Sequence, residues 1–172
     1  MERIDIYNKN GEKTGRTAER GEPLSPEEYR LAVGIWISDG AGNIFVTKRA
    51  EEKSFAPGKW ENTAGHVRAG ETPENAVLRE LREETGLAVS PEQVTLLGRA
   101  EPHWPYIGIN YGVTMRFDAK DVKLQPGETC DAKWVTAEEL WEMEKNGEFA
   151  PSVFEHMQGY KENFLKFISR GE

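Results

Sequence analysis

The feature that most constrains this chain is a charged segment whose two ends carry the signals of helix ends. Thr72 is a residue type favoured at helix N-caps, and Pro73 suits the first helical position, where a backbone N–H has no partner inside the helix. Gly86 can adopt the left-handed backbone conformation that ends many helices. The sequence therefore predicts an α-helix over residues 73–85.

Acidic side chains concentrate on one face of this predicted helix. At about 100° per residue, Glu80, Glu83 and Glu84 share an arc of about 100°, while Val77 and Leu81 lie on another. Carboxylates this close repel each other, and a divalent cation turns the repulsion into attraction. Taken alone, the pattern fits a metal-binding helix and also an ordinary solvated helix rich in Glu and Arg.

The segment in front of the helix extends the pattern. Residues 65–87 read GHVRAGETPENAVLRELREETGL, which is Gly, five residues, Glu, seven residues, then Arg-Glu-apolar-x-Glu-Glu-x-Gly-apolar. Every specified position matches the Nudix box. We therefore identify a resemblance to the Nudix hydrolase superfamily, which extends more loosely from about Leu31 to Val135.

The resemblance implies an α+β fold, a Nudix-type α/β/α sandwich with a mixed β-sheet. The irregular mixture of predicted strands and helices agrees with it, because a doubly wound sheet would alternate them regularly. Residues 3–8 and 13–17 flank an Asn10-Gly11 turn, which predicts an N-terminal β-hairpin. We expect one domain overall, in which an extension over 1–29 leads into a hydrolase domain over 30–172. Residues 151–169 are expected to form a single closing helix.

The resemblance also implies the reaction, which is metal-dependent hydrolysis of a diphosphate bond in a nucleoside diphosphate-linked or related small molecule. It assigns Glu80, Glu83, Glu84 and the Gly65 carbonyl to Mg²⁺, with Mn²⁺ as the alternative ion. Glu83 or Glu84 is a candidate to accept the proton of the attacking water. Some family members use a base outside the box, and here Glu128 is that candidate.

Other residues receive supporting roles. The resemblance implies that Glu71 and Arg79 hold the box in shape. Arg49 ends a strand that leads toward the box, where it would bind phosphate or form a surface salt bridge. Trp104 and Tyr106 belong to an aromatic loop over 101–106 and would stack on the substrate or anchor the loop. The sequence leaves open which diphosphate is used, how many metal ions bind and which phosphorus is attacked.

The charge, the cysteine content and the apolar stretches of the chain limit the kinds of partner that it is expected to bind. The net charge of −8 and the pI near 5.1 disfavour binding to a nucleic-acid polymer. Cys130 is the only cysteine, which suits a reducing compartment. The apolar stretch Leu31 to Ile37 is too short to span a membrane. We expect a soluble cytoplasmic enzyme that acts on a small-molecule diphosphate, and the resemblance allows a homodimer.

Two alternatives from other functional classes stay open. Isopentenyl-diphosphate isomerase is Nudix-like, but it carries a catalytic Cys and a metal-binding His where this chain has Ala64 and Arg30. A Nudix fold can also serve as a non-catalytic nucleotide sensor. Loss of box carboxylates would indicate a sensor, and this chain retains all of them.

Overall fold

The computed structural model describes residues 1–100 and 103–169. Glu101 and Pro102, at the start of the predicted aromatic loop, lie outside the described residues. Nine strands are present in the described part: β1 Arg3–Tyr7, β2 Lys13–Glu19, β3 Arg30–Ser38, β4 Asn43–Arg49, β5 Trp60–Glu61, β6 Thr63–His66, β7 Val94–Arg99, β8 Tyr106–Thr114 and β9 Thr129–Thr136. The α-helices of the described part are α1 Pro73–Thr85, α2 Ala137–Lys145, α3 Pro151–Met157 and α4 Lys161–Ile168.

Seven of these strands form one mixed sheet. Its order is β5-β4-β3-β8-β7, with β6 also paired to β3 and β9 also paired to β4. The β3–β8 pair is parallel, whereas the other pairs are antiparallel. Only the end of β3 pairs with β4, and the rest of that edge pairs with β6. One edge of β3 is therefore shared by two strands, β4 and β6, and β6 leads into the box.

Side-chain alternation along β3 sends apolar groups to both faces, as expected for a buried central strand. Val33 and Ile35 join a core cluster with Val77 and Leu81 of α1. Trp36 points the other way, into a cluster built with α2, α3 and α4. The sheet thus lies between α1 on one face and the C-terminal helices on the other, which confirms the predicted α+β sandwich.

The predicted N-terminal hairpin is present as β1 and β2, a separate antiparallel pair. Its inner face has a small core of its own, formed by Ile4, Ile6, Ala18 and Leu24. It also contacts the loop before α1, where the Ala69 N–H donates to the Arg3 carbonyl at 2.8 Å. The hairpin is therefore attached directly to the box.

The C-terminal region differs from the prediction of one long helix. The chain turns between α3 and α4 around Gly159, a residue with low helix propensity. The turn buries Tyr160, whose hydroxyl accepts a hydrogen bond from Trp36 Nε1 at 3.1 Å. The break between α3 and α4 therefore coincides with the packing of the Tyr160 side chain. The hydrophobic periodicity of the sequence did not indicate this break. Among the described helices, none has the length and apolar character needed to cross a membrane.

Candidate active site

Both ends of α1 carry the predicted caps. The Thr72 hydroxyl accepts a hydrogen bond from the Asn75 N–H at 3.2 Å, so one unpaired donor of the first turn is satisfied. Gly86 follows the last turn with a φ of 74°, and its N–H donates to the Arg82 carbonyl at 2.9 Å. Only glycine adopts this backbone region without strain. The caps and the buried face together fix the direction in which the carboxylates point.

Gly65 lies where β6 meets the acidic face of α1. A Cβ atom at this position would lie 2.1 Å from Glu80 Cδ and 2.3 Å from Glu80 Oε1, far inside contact distance. Glycine here is therefore a condition for Glu80 to pass the strand and reach the cleft. This one close approach explains why the box needs glycine at its first position, Gly65, if Glu80 is to reach the cleft.

Arg79 joins several parts of the box into one network of hydrogen bonds. Its guanidinium donates to both Glu71 oxygens at 2.9 and 3.0 Å, to Glu80 at 2.7 Å and to Glu83 at 3.1 Å. It also donates to the His66 carbonyl at 2.9 Å, which ties α1 to β6. Burial disfavours the charge, but the bonds to Glu71 and Glu80 outweigh it and raise the pKa of Arg79.

Glu84 has a different environment from its neighbours. Its exposed fraction is 9%, and burial raises its pKa well above the ordinary value, with the charges of Glu61, Glu80 and Glu128 adding to the effect. A nearby cation would stabilise the ionised form of a carboxyl group in such surroundings. Arg79 thus balances the negative charge at one end of the acidic face, whereas burial and the neighbouring carboxylates favour the protonated form of Glu84 at the other end.

The carboxylates face a cleft of about 270 Å³. Its lining mixes both signs of charge, with more acidic than basic residues. The lining residues are Glu2, Arg20, Arg49, Lys53, Glu61, Ala64, Gly65, His66, Arg68, Glu80, Glu83, Glu84, Gln125 and Glu128.

Two predicted site residues outside the helix lie in this cleft as members of ion pairs. Arg49 Nη1 donates to both oxygens of Glu61 at 3.1 and 2.8 Å, and its Nε donates to the Phe55 carbonyl at 2.9 Å. Glu128 is paired with Lys53. The fold therefore brings Arg49 and Glu128 beside the box carboxylates, although both are distant in sequence.

Several lining residues carried no recognisable signal in the sequence. Arg20 donates to Glu2 at 3.1 Å, Glu2 also binds Arg68, and Arg68 lies 3.6 Å from Glu83. Arg20 belongs to the segment just after β2, and only the docking of the hairpin onto the box brings it to the cleft. Arg68 falls at an unspecified position of the box, so the motif gave no reason to select it.

The two predicted aromatic contacts lie outside this group. The described residues that line the cleft include neither Trp104 nor Tyr106. Trp104 is half-exposed and its Nε1 donates to the Ser25 carbonyl at 3.2 Å, which anchors the loop to the N-terminal segment. The Tyr106 ring packs against His66, with ring centroids 5.5 Å apart. Burial, followed by the charges of Arg20 and Arg30, lowers the pKa of His66 to about 4, so His66 is neutral at pH 7.

The donor set suits a hard divalent cation in its chemistry. Carboxylate oxygens and a backbone carbonyl are the ligands that Mg²⁺ and Mn²⁺ prefer, completed by water and phosphate oxygens. Within residues 1–100 and 103–169, no three His, Cys, Asp or Glu side chains converge into a preformed metal cage. Two of the box carboxylates, those of Glu80 and Glu83, accept hydrogen bonds from Arg79. A cation here would rely on a few carboxylates together with substrate and water.

Comparison with known proteins agrees with the geometry. The NUDIX domain family model matches residues 28–157. An uncharacterized Nudix hydrolase from Listeria monocytogenes is 34% identical over 156 residues, which cover 90% of this chain and 91% of that protein. Isopentenyl-diphosphate Delta-isomerase from Escherichia coli is 32% identical over 93 residues, which cover only 54% of this chain and 51% of the isomerase.

A solved structure shows the same fold. The protein DR0079 from Deinococcus radiodurans superposes with a TM-score of 0.75 at 22% identity, covering 92% of this chain and 99% of that one. The family match, the nearly full-length relative and the intact box confirm the resemblance drawn from residues 65–87. The chain is a member of the Nudix hydrolase family.

Proposed function

We propose that this chain hydrolyses a diphosphate linkage in a nucleoside diphosphate-linked or related small molecule, with Mg²⁺ or Mn²⁺ held at the acidic face of α1. The observation that carries the proposal is the arrangement of one cleft, in which three box carboxylates face several cations. Carboxylates would hold the metal, and guanidinium groups would hold phosphate oxygens. When bound, the cation supplies positive charge against the phosphate oxygens.

The chain's own residues have separable roles in this proposal. Glu80, Glu83 and Glu84, with the Gly65 carbonyl, are the metal ligands. Glu71 and Arg79 hold these groups in position. The proton of the attacking water passes to a cleft carboxylate, for which Glu83, Glu84 and Glu128 are the candidates.

Phosphate binding falls to the basic residues of the cleft. Arg49 presents a planar guanidinium that suits phosphate oxygens, while Lys53 lies beside Glu128. In the free protein these cations are occupied by Glu61 and Glu128. A substrate diphosphate would compete with these carboxylates for the same donors.

We also propose that the N-terminal hairpin and residues 30–172 act as one domain. Glu2 and Arg20 lie outside the matched family region, yet both line the cleft. The contact between β1 and the box loop supports this arrangement.

The first experiment measures phosphate and nucleotide release from a panel of diphosphates in the presence of Mg²⁺ or Mn²⁺. The panel contains ADP-ribose, dinucleoside polyphosphates, nucleotide sugars, coenzyme A and nucleoside triphosphates. We expect release from at least one compound, complete loss on chelation with EDTA, and recovery when the metal is added back. Release that persists in EDTA would contradict metal dependence.

Variants then test the assignment of residues. Glu83→Gln and Glu84→Gln should each lower kcat by about 100-fold or more, since each removes a charge that acts on the reacting groups. Glu74→Gln is the matched control, because it lies on α1 outside the cleft, where its carboxylate contacts Tyr111. Equal activity of all three variants would contradict the site.

The same panel separates the alternative functions. Interconversion of isopentenyl and dimethylallyl diphosphates would establish an isomerase, although Ala64 has no group that could transfer a proton. Tight nucleotide binding without hydrolysis, in the presence of either metal, would establish a sensor.

A further inference from the structure

The N-terminal hairpin and the loop before α1 bring two arginines together at one end of the diphosphate cleft. Arg20 lies just after β2, Arg68 lies just after β6, and both line the cleft. Two backbone hydrogen bonds fix this arrangement. The Arg20 N–H donates to the Glu2 carbonyl at 2.8 Å, and the Ala69 N–H donates to the Arg3 carbonyl at 2.8 Å. We call Arg20 and Arg68 the arginine pair.

A single carboxylate lies between the two guanidinium groups. Glu2 Oε2 accepts a hydrogen bond from Arg20 Nη1 at 3.1 Å, and Glu2 Oε1 accepts one from Arg68 Nε. Burial disfavours the charge of Glu2, but the hydrogen bonds and charges of Arg68 and Arg20 outweigh burial and lower the pKa of Glu2. Glu2 is therefore ionised at pH 7, and each of its oxygens has a guanidinium group of its own. Two oxygens of a phosphate group can be bound in the same way.

The arginine pair can exchange Glu2 for another anion. The side chains of Arg20 and Arg68 are 53% and 43% exposed, so a ligand can reach both guanidinium groups from solvent. Ion pairs as exposed as these contribute little stability, because water competes for both partners. A phosphate group offers more acceptor oxygens than a carboxylate and would compete with Glu2 for the same donors.

The arginine pair and the cations assigned to the diphosphate lie at different ends of the acidic face of α1. Arg68 Nη2 lies 3.6 Å from Glu83 Oε1. At the other end, burial dominates the raised pKa of Glu84, and the positive charge of Lys53 is near enough to oppose it. The proposed metal ligands therefore lie between two groups of cations. A diphosphate bound by the metal, Arg49 and Lys53 would direct the next phosphate of a longer chain toward the arginine pair.

We propose that the arginine pair binds a further phosphate group of the substrate, next to the scissile diphosphate, and that Glu2 occupies this anion site in the free protein. The inference rests on the proposed diphosphate hydrolysis for the identity of the substrate. It favours substrates with more than two linked phosphates over ADP-ribose and nucleotide sugars, because only the longer chains carry an anionic group for both sets of cations. Glu2 then competes only with the longer substrates.

The binding test uses inorganic tripolyphosphate and protein stripped of metal on a chelating resin, so that it does not depend on catalysis. The probe is titrated into the full chain, and the Nε–Hε resonances of the arginines are followed by proton–nitrogen NMR. We expect saturable shifts of the Arg20 and Arg68 resonances. Shifts confined to other arginines, or no shifts at all, would overturn the inference.

Substitution of Glu2 distinguishes a competitor from a structural support. Glu2→Gln keeps a hydrogen-bond acceptor and removes the charge, so it should tighten tripolyphosphate binding about ten-fold. If Glu2 only positioned the two arginines, the substitution would weaken binding instead. Equal or weaker binding by Glu2→Gln would therefore contradict the proposal. Glu22→Gln is the matched control, since Glu22 pairs with Arg16 and is not among the described residues that line the cleft.

Substitutions of the arginines test the donors. Arg20→Ala and Arg68→Ala should each weaken tripolyphosphate binding about ten-fold, because each removes a charged hydrogen-bond donor. Arg16→Ala is the control and should bind as the wild type does. A gain in affinity cannot come from misfolding, so Glu2→Gln remains a valid test even if an arginine variant fails to fold.

A final comparison separates this inference from the proposed function. Glu84→Gln should abolish hydrolysis and leave the Arg20 and Arg68 shifts in place. Tripolyphosphate binding at the arginine pair by a wild type that hydrolyses nothing would support the anion site and contradict the hydrolase assignment. Hydrolysis by a wild type whose arginine pair shows no shifts would do the reverse.

Discussion

At the scale of single residues, the site depends on close approaches that only particular side chains permit. Gly65 and Glu80 share space that a methyl group would occupy. The cost of a substitution at Gly65 comes from this crowding, because Glu80 would have to move away from the cleft. Position 65 thus links the stability of the box directly to the placement of a proposed metal ligand.

Gly65→Ala should lower stability by about 1–3 kcal/mol, a usual range for overpacking, and should also reduce hydrolysis. The matched experiment repeats the substitution in a Glu80→Ala background, where the obstructing carboxylate is gone. We expect a loss of less than about 0.5 kcal/mol there, measured by urea denaturation as a double-mutant cycle. An equal loss in both backgrounds would show that Glu80 is not the obstruction.

Arg79→Ala should destabilise the protein by about 3 kcal/mol, since it leaves the carboxylates of Glu71 and Glu80 largely buried without their cation. Arg82→Ala on the same helix is the control, because Arg82 is exposed, and it should change stability by no more than about 0.5 kcal/mol. Urea denaturation measures both variants. Similar losses would contradict the network described for Arg79.

At the scale of elements, α1 is defined by its ends as much as by its faces. Thr72→Ala should cost about 1 kcal/mol, because the Asn75 N–H loses its acceptor. Thr72→Ser keeps the hydroxyl and should remain close to the wild type. Chemical denaturation of the three proteins tests the cap, and an unstable Thr72→Ser would indicate that the methyl group matters instead.

The sequence was sufficient for α1 because its signals are local. Thr72, Pro73 and Gly86 mark its ends, and all three occupy the predicted positions. The single helix expected over 151–169 was wrong, because the turn at Gly159 accompanies burial of Tyr160 against Trp36, a contact between residues 124 positions apart. Periodicity within a segment contains no information about such a partner.

At the scale of the whole molecule, the cleft is assembled from distant segments. The hairpin supplies Arg20, β4 supplies Arg49, and the segment before β9 supplies Glu128. Arg20 is the contribution least expected from the family, because it lies outside the matched region.

Arg20→Ala should raise KM for the hydrolysed diphosphate about ten-fold, because a charged donor near the phosphates is lost. Arg16→Ala on the same hairpin is the control, since Arg16 pairs with Glu22 and Glu28 and does not line the cleft. Steady-state kinetics of both variants measure the difference. An unchanged KM in Arg20→Ala would limit the hairpin to a structural role.

The sequence by itself determined the box, its helix, the family and the acidic residues that face one way, because a motif with fixed spacing and a 3.6-residue period are local properties. Only the tertiary structure decided which distant charges meet them. It placed Arg20, Lys53, Glu61 and Arg68 in the cleft and directed the indole N–H of Trp104 to the Ser25 carbonyl. These features depend on strand pairing and hairpin docking, which join residues far apart in the chain and leave no periodic trace in the sequence.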